Sequence, residues 1–400
     1  MPYFLAWRLR RRRGTRHPLN RGLGGLWRLG GRLGLLVPVC GFGWKPAATD
    51  QPGSLGNQIR RHWAAWGLGP APRQVRCLML ADGMDERNKL TVMAFAEGSG
   101  RPGVVVKLAR TPLSEPGIAH EACVLDAIKG SPITKVATVP RPLFSGRLGD
   151  ALAVAETAIE GRELQTILTR SSFPSVANQL ADTLAALVAT DAAEDRWEQS
   201  VAPVVAEFQR RFGEVLDQND IARQVQKLRC MPPLPRVIEH RDCSPWNLMV
   251  TAEGSLAFLD WESAVLDGLP VLDLAYFLVN GAFLVEGVLG SGRERTSYGR
   301  LLAGSPTGAV AAEALARYRE RAGLPQGVIG PLRGLAWMTH ACVEHERMLI
   351  DHPELSSRDW ASRSMYLALW REEVRVSLTQ RIAAPPCQPS NAAPRPPHLP

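Results

Sequence analysis

The chain has 400 residues, 45% hydrophobic and 22% charged, a composition typical of soluble globular proteins and long enough for two lobes or domains around substantial cores. Its net charge of +8 is concentrated: ten of the 47 basic residues lie in positions 1–49, which hold no Asp or Glu, leaving 37 basic against 39 acidic residues elsewhere. The main body is therefore not expected to bind nucleic acid, no apolar run suffices to span a bilayer, and seven scattered cysteines without a CxxC pair imply neither a zinc site nor a disulfide framework and suit a reducing cytoplasm.

Residues 1–50 form a basic, aromatic extension in which Arg10 to Arg13 stand among Trp7, Trp27 and Trp44. Three readings fit that composition: an extension without fixed structure, an element making peripheral contact with a membrane surface through residues 1–49, or a targeting or nucleic-acid arm. Residues 51–160 read as a β-rich lobe. The runs "QVRCLML", "KLTVMAFA" and "VVVKLAR", separated by Gly- and Pro-bearing turns, predict hairpins and hence an antiparallel sheet. A helix is expected in "SEPGIAHEACVLDAIKG", where Ile118, Ala122 or Cys123, Leu125 and Ile128 make one apolar stripe. Two more strands, around Val139 to Phe144 and in "ALAVAETAI", lead to "EGREL".

From 161 to 380 the periodicity turns helical, in "VANQLADTLAALVATDA", "SVAPVVAEFQRRFGEVLDQ" and segments near 270–285, 308–322, 328–350 and 359–380. Within this span "VIEHRDCSPWNLMV" sets His240, Asp242 and Asn247 between two apolar, strand-like runs, so that rigid neighbours hold the polar groups in place. Thirteen residues after Asn247, Asp260 ends the apolar run of "LAFLDWES". The Pro-rich tail, 381–400, is expected to be disordered.

A strand Lys107, a helix Glu121, the HxDxxxxN pattern of His240, Asp242 and Asn247, and a strand-final Asp260 follow one another in the order of a kinase. Over about residues 80–350 the chain resembles the protein-kinase-like superfamily, in its aminoglycoside and choline phosphotransferase branch. The resemblance implies an α+β, bilobal protein-kinase-like fold, with a small antiparallel β-sheet N-lobe and a large helical C-lobe. It implies ATP and Mg²⁺ as cofactors, and transfer of the γ-phosphoryl group to a hydroxyl of a small molecule.

Phosphoryl transfer needs cations on the phosphate oxygens, a carboxylate to orient the attacking hydroxyl, and a frame that aligns both. On the resemblance, Asp242 is the hydroxyl-facing catalytic carboxylate, and His240 belongs to the same catalytic loop, where bracing suits it better than proton transfer. Asn247 and Asp260 are the metal ligands, offering the hard oxygens that Mg²⁺ prefers. Lys107 and Glu121 form the phosphate-holding pair. Glu115, just before Pro116, is expected to lie outside the helix. Backbone groups from Thr157 to Ile159 would meet the adenine. The phosphate loop "ADGMDERNKL" departs from the glycine-rich pattern, with Gly83 as its one glycine, which leaves Asn88 and Lys89 as candidate phosphate contacts. Asp273, at a helix start, is expected to tie down the catalytic loop.

"HACVEHER" matches no zinc motif and reads as a packed or solvent-facing helix, from which Glu344 or Glu346 could reach an acceptor. No activation segment follows Asp260, so a protein substrate is not expected. The small-molecule acceptor stays open among aminoglycosides, amino alcohols such as choline, and sugars, with Glu262, Asp267, Trp246 and Trp261 near enough in sequence to contribute. The alternative reading is a catalytically weak or inactive kinase-fold scaffold anchored by its N-terminus. A cytoplasmic location, peripheral to the inner membrane face, suits either.

Overall fold

A computed structural model describes residues 53–81, 86–189 and 194–381. The basic extension, Gly83 with its flanking acids, and the Pro-rich tail beyond 381 lie outside the described residues. In chain order the main elements are α1 (Leu55–His62), β1 (Val75–Ala81), β2 (Leu90–Ala96), β3 (Val104–Leu108), α2 (Glu115–Ala127), β4 (Pro142–Leu148), β5 (Ala151–Thr157), β6 (Arg162–Glu163) and α3 (Phe173–Ala185). There follow α4 (Ala202–Phe212), α5 (Gln218–Arg229), β7 (Val237–Glu239), β8 (Leu248–Val250), β9 (Leu256–Phe258), β10 (Val265–Gly268) and α6 (Leu272–Glu286). The chain closes with α7 (Glu294–Leu302), α8 (Pro306–Arg321), α9 (Ile329–Asp351), α10 (Ser357–Arg363) and α11 (Met365–Arg381).

The α+β expectation holds. Strands β1 to β5 form one antiparallel sheet in the order β1-β2-β3-β5-β4. Side chains alternate across a strand, so the two faces separate by parity. Val92, Ala94, Val104, Val106, Ala153 and Ala155 bury one face against Ile59, Trp63 and Trp66. The sequence reading did not foresee α1, which carries Ile59 and is capped by Ser54 Oγ accepting from the Asn57 amide. On the other face Val154 packs with Ile118 and Ala122 of α2. Lys107 pairs with both Thr91 and Val154 and so shares this second face.

Two boundaries need correction. Helix α2 begins at Glu115 with Pro116 in its first turn, where a missing N–H forfeits no intrahelical bond; Glu115 is thus inside the helix and reaches Arg147 at 3.1 Å. The segment expected as one helix over 359–380 breaks at Ser364 into α10 and α11.

Packing divides the chain into two compact units. One comprises the described residues up to Ala189 with Arg236–Ala322; the other comprises those of Thr190–Pro235 and Gly323–Pro400. In the first unit α6 is apolar on nearly all sides, and every residue from Leu272 to Phe283 is buried, which marks a central helix. Short ladders β6-β8-β9 and β10-β7 frame the polar loops beside it. Thr138 is stitched to β9 by two backbone bonds of 2.9 Å, to Leu256 and from Phe258, anchoring the chain after α2 to the strand that leads into Asp260.

The second unit has an aromatic core. Phe208 and Phe212 of α4 meet Trp370 and Trp360 at 5.1 and 5.0 Å between ring centroids. The "HACVEHER" segment lies in α9, where His345 abuts Trp360, Glu344 accepts from Ser364 at 2.5 Å and Glu346 accepts from Arg211 at 2.5 Å. Each of these groups has a partner within this unit, although Glu346 remains exposed. No helix among the described residues is long and apolar enough to cross a membrane.

Candidate active site

Lys107 is the fourth residue of β3, only 4% exposed, and its ammonium projects from the sheet face that α2 covers. An ammonium so placed must be paired, because desolvation without compensation costs several kcal/mol. Glu121 of α2, itself fully buried, supplies the closest carboxylate through Oε1. Glu156 Oε1 stands at 3.2 Å and Asp260 Oδ1 at 3.6 Å. Glu121 Oε1 also accepts the Trp261 amide at 3.0 Å, which fastens α2 to the turn after β9. Three expected site residues, Lys107, Glu121 and Asp260, thus converge.

Two further members are not placed in this group by the sequence pattern. Glu156 lies on β5 opposite Val105, on the Lys107 face, and alternation along "ALAVAET" would have exposed it as a charge in a buried strand. Lys89, read only as a phosphate contact, places Nζ on Asp260 Oδ1, 2.7 Å from Glu262 Oε2 and 3.5 Å from Glu121 Oε2. The carboxylates of Glu121, Asp260 and Glu262 come within 4.8 Å of one another, and Asp242 is not among them. Asn88 is half-buried immediately before Lys89.

Asp242 belongs to a second polar group. Asn247 Nδ2 donates to Asp242 Oδ2 at 2.8 Å and to its carbonyl at 3.0 Å. This orientation spends the amide hydrogens on Asp242 and leaves the Asn247 carbonyl oxygen as the atom suited to a hard cation. His240 links the two groups. Its Nε2 donates to the carbonyl of Leu259, next to Asp260, while its Nδ1 accepts the Asp242 amide at 3.3 Å. The ring is buried, and burial lowers its pKa to about 4, so it is neutral at physiological pH. With both nitrogens engaged by backbone it braces the loop, and the catalytic role considered for it has no free nitrogen to act through.

The loops carry backbone strain. Arg241 and Asp260 have φ of 63° and 68°, left-handed conformations that cost non-glycine residues about 1–2 kcal/mol each. Asp273, at the start of α6, offsets the first by accepting the amides of His240 and Arg241. Gly268 is required nearby, since a Cβ there would come within 2.4 Å of the Glu239 Cβ.

The charges are tuned by these contacts. Burial alone would raise the Asp260 pKa, but Lys89 and Lys107 hold it well below the usual carboxylate range. Burial pushes Glu156 up to about 7 even though Lys107 pulls the other way. Asp273 rises to about 8 through burial and the proximity of Glu239.

Other expected contacts fall differently. The Thr157 amide donates to the Arg141 carbonyl at 3.0 Å, and its hydroxyl accepts the Arg141 amide at 2.9 Å, so that N–H is not available to a nucleobase. Ile159 is half-buried just beyond β5. Trp261 cannot line an aromatic box for an acceptor, because it is 1% exposed with its ring 4.7 Å from that of His240. Trp246 is half-buried beside Asn247, and Asp267 is exposed, 4.0 Å from Arg236.

The family model described as "Phosphotransferase enzyme family" matches residues 90–306. No curated protein matches the chain. Among solved structures, the GDP and kanamycin complex of APH(2")-IIia is 12% identical, covering 79% of this chain and 98% of its own, with a TM-score of 0.48. Macrolide 2'-phosphotransferase MphH from Brachybacterium faecium is 18% identical, covering 73% and 91%, with a TM-score of 0.47. Spectinomycin phosphotransferase APH(9)-Ia, solved with ADP and spectinomycin, is 15% identical, covering 83% and 99%, with a TM-score of 0.40. The matched span takes in β2, Lys107, Glu121, the His240 to Asn247 loop and Asp260, and exceeds half the sequence: the chain belongs to the phosphotransferase enzyme family.

Proposed function

We propose that the protein transfers the γ-phosphoryl group of ATP to a hydroxyl of a small molecule, with Mg²⁺ as the metal. One observation carries this reading. His240 hydrogen-bonds to the backbone beside both Asp242 and Asp260, so the Asp242–Asn247 pair and the Asp260–Lys107–Glu121 group are set relative to each other by one buried ring.

Asp260 and Asn247 would hold the metal. The donor set fits: Asp260 is ionised, Asn247 presents a carbonyl oxygen, and the ammonium of Lys89 already seats on Asp260 as a cation would. A bound Mg²⁺ supplies neutralisation of the phosphate oxygens. Lys107, fixed by Glu121, binds phosphate oxygens from the sheet side. Asp242 orients the acceptor hydroxyl and takes its proton as the oxygen bonds to the γ-phosphorus. The bond from that phosphorus to the bridging oxygen breaks, and ADP leaves.

The acceptor belongs to the hydroxyl-bearing classes of aminoglycosides, amino alcohols or sugars. The test is thermal denaturation of wild type and Asp260→Ala with ATP and Mg²⁺, followed by a screen for acceptor-dependent ADP release. Stabilisation of wild type that needs both ligands and is absent from the variant is expected. No stabilisation in wild type would overturn the reading. Binding without turnover on any acceptor would favour the scaffold alternative.

A further inference from the structure

The position of Lys89 is unusual for a residue that should greet phosphates. Its ammonium is turned away from solvent, with its side chain 12% exposed, and lies among Asp260, Glu262 and Glu121. The sheet dictates this placement. Thr91 pairs directly with Lys107, and Lys89 precedes Thr91 by two residues, so both ammonium groups emerge on the same face. Leu90 is fixed between Ala81 and Leu108, so the backbone at Lys89 is anchored while its four-carbon stem can swing.

We propose that Lys89 is a tethered counter-cation for the metal-binding carboxylate: it competes with the metal for Asp260, and it yields that oxygen when nucleotide phosphates take up the ammonium. The inference rests on the phosphotransferase reading and extends it to the order in which ligands enter. Asp260 Oδ1 is shared by Lys89 and, at 3.6 Å, Lys107. A divalent ion bound to the same oxygen would face two ammonium groups at close range in a poorly solvated site, where repulsion is strongest. Removal of Lys89 relieves that repulsion, and incoming phosphate oxygens give its ammonium new partners. Metal and nucleotide binding are thereby coupled through one side chain, and the coupling is reciprocal.

Glu262 is the retaining group. It holds Lys89 at 2.7 Å and is itself 37% exposed, the most solvated carboxylate around that ammonium.

The experiment measures Mn²⁺ binding to wild type, Lys89→Met and Lys89→Arg, with and without ADP, by water-proton relaxation enhancement, which separates protein-bound from free Mn²⁺·ADP. If Lys89 occupies Asp260 nine-tenths of the time or more, wild type without ADP binds Mn²⁺ at least about tenfold more weakly than Lys89→Met. ADP should tighten Mn²⁺ binding in wild type and in Lys89→Arg, and much less in Lys89→Met. Matching melting profiles establish that the variants are folded. Equal Mn²⁺ affinities of wild type and Lys89→Met without ADP would overturn the proposal. So would an equal gain on adding ADP. Failure of wild type to bind Mn²⁺ even with ADP strikes the phosphotransferase reading itself, and under that result only a gain of Mn²⁺ binding in Lys89→Met would sustain the tether.

Discussion

Asp273 accepts the backbone amides of His240 at 2.6 Å and Arg241 at 2.8 Å, so the first turn of α6 holds the start of the loop that carries Asp242. The amides face one side chain because Arg241 adopts φ of 63°. Replacing Asp273 by Ala orphans two buried amides. Stability should fall by about 3 kcal/mol, and turnover should fall with it as the loop relaxes. Asp273→Asn, which keeps one acceptor, should lie between. Denaturant unfolding and initial rates measure both effects, and a wild-type rate in Asp273→Ala would refute the clamp.

Asp242 and Asp260 should separate chemistry from binding. Asp242→Ala should lower kcat by about 10²–10⁴ and leave nucleotide-dependent stabilisation intact. Asp260→Ala should lose that stabilisation. Titration calorimetry with a non-hydrolysable ATP analogue alongside steady-state rates distinguishes them. Unaltered kcat in Asp242→Ala would remove it from the reaction.

Glu156 gives the fold a pH dependence. Its pKa rises from the ordinary 4.5 to about 7 because burial favours the neutral acid. The stability it contributes is therefore complete below pH 4.5 and is lost as pH climbs through about 7. Between about pH 5 and pH 8, wild type should lose more melting temperature than Glu156→Gln, which keeps an acceptor for Lys107 and cannot ionise. Parallel curves for the two proteins would contradict the assignment.

Trp261 is a structural residue. Its ring contacts His240 at 4.7 Å between centroids and its indole donates to the Phe258 carbonyl at 3.3 Å. Trp261→Ala should cost about 3–5 kcal/mol and, where folded, should show the same relative preference among acceptors as wild type. A change in acceptor ranking without loss of stability would return Trp261 to the binding surface.

Much of the site could be read along the chain because its signals are local. "VVVK" places Lys107 by strand alternation, the stripe through Ile118 and Leu125 identifies the helix that bears Glu121, and the apolar runs around "HRDCSPWN" define a rigidly held loop. The order of Lys107, Glu121, the His240 to Asn247 pattern and Asp260 together pointed to the family. The sequence pattern does not single out α5 or α7: in α5 the stripe of Ile221, Val225 and Leu228 is outnumbered by charged and amide residues, and α7 has little apolar periodicity.

What the sequence by itself determined was most of the chain order of strands, helices and chemical groups, because alternation, helical spacing and turn chemistry act between near neighbours. Only the tertiary structure decided which charges meet. Lys89 and Asp260 are 171 positions apart, and nothing local records their pairing. Burial of Trp261 under His240, capture of Lys107 by Glu156 as well as Glu121, and separation of Asp242 from the Glu121–Asp260–Glu262 cluster depend likewise on distant segments. Desolvation sets these choices: once the sheet and loops close over a charge, it takes whichever partner the fold brings within reach.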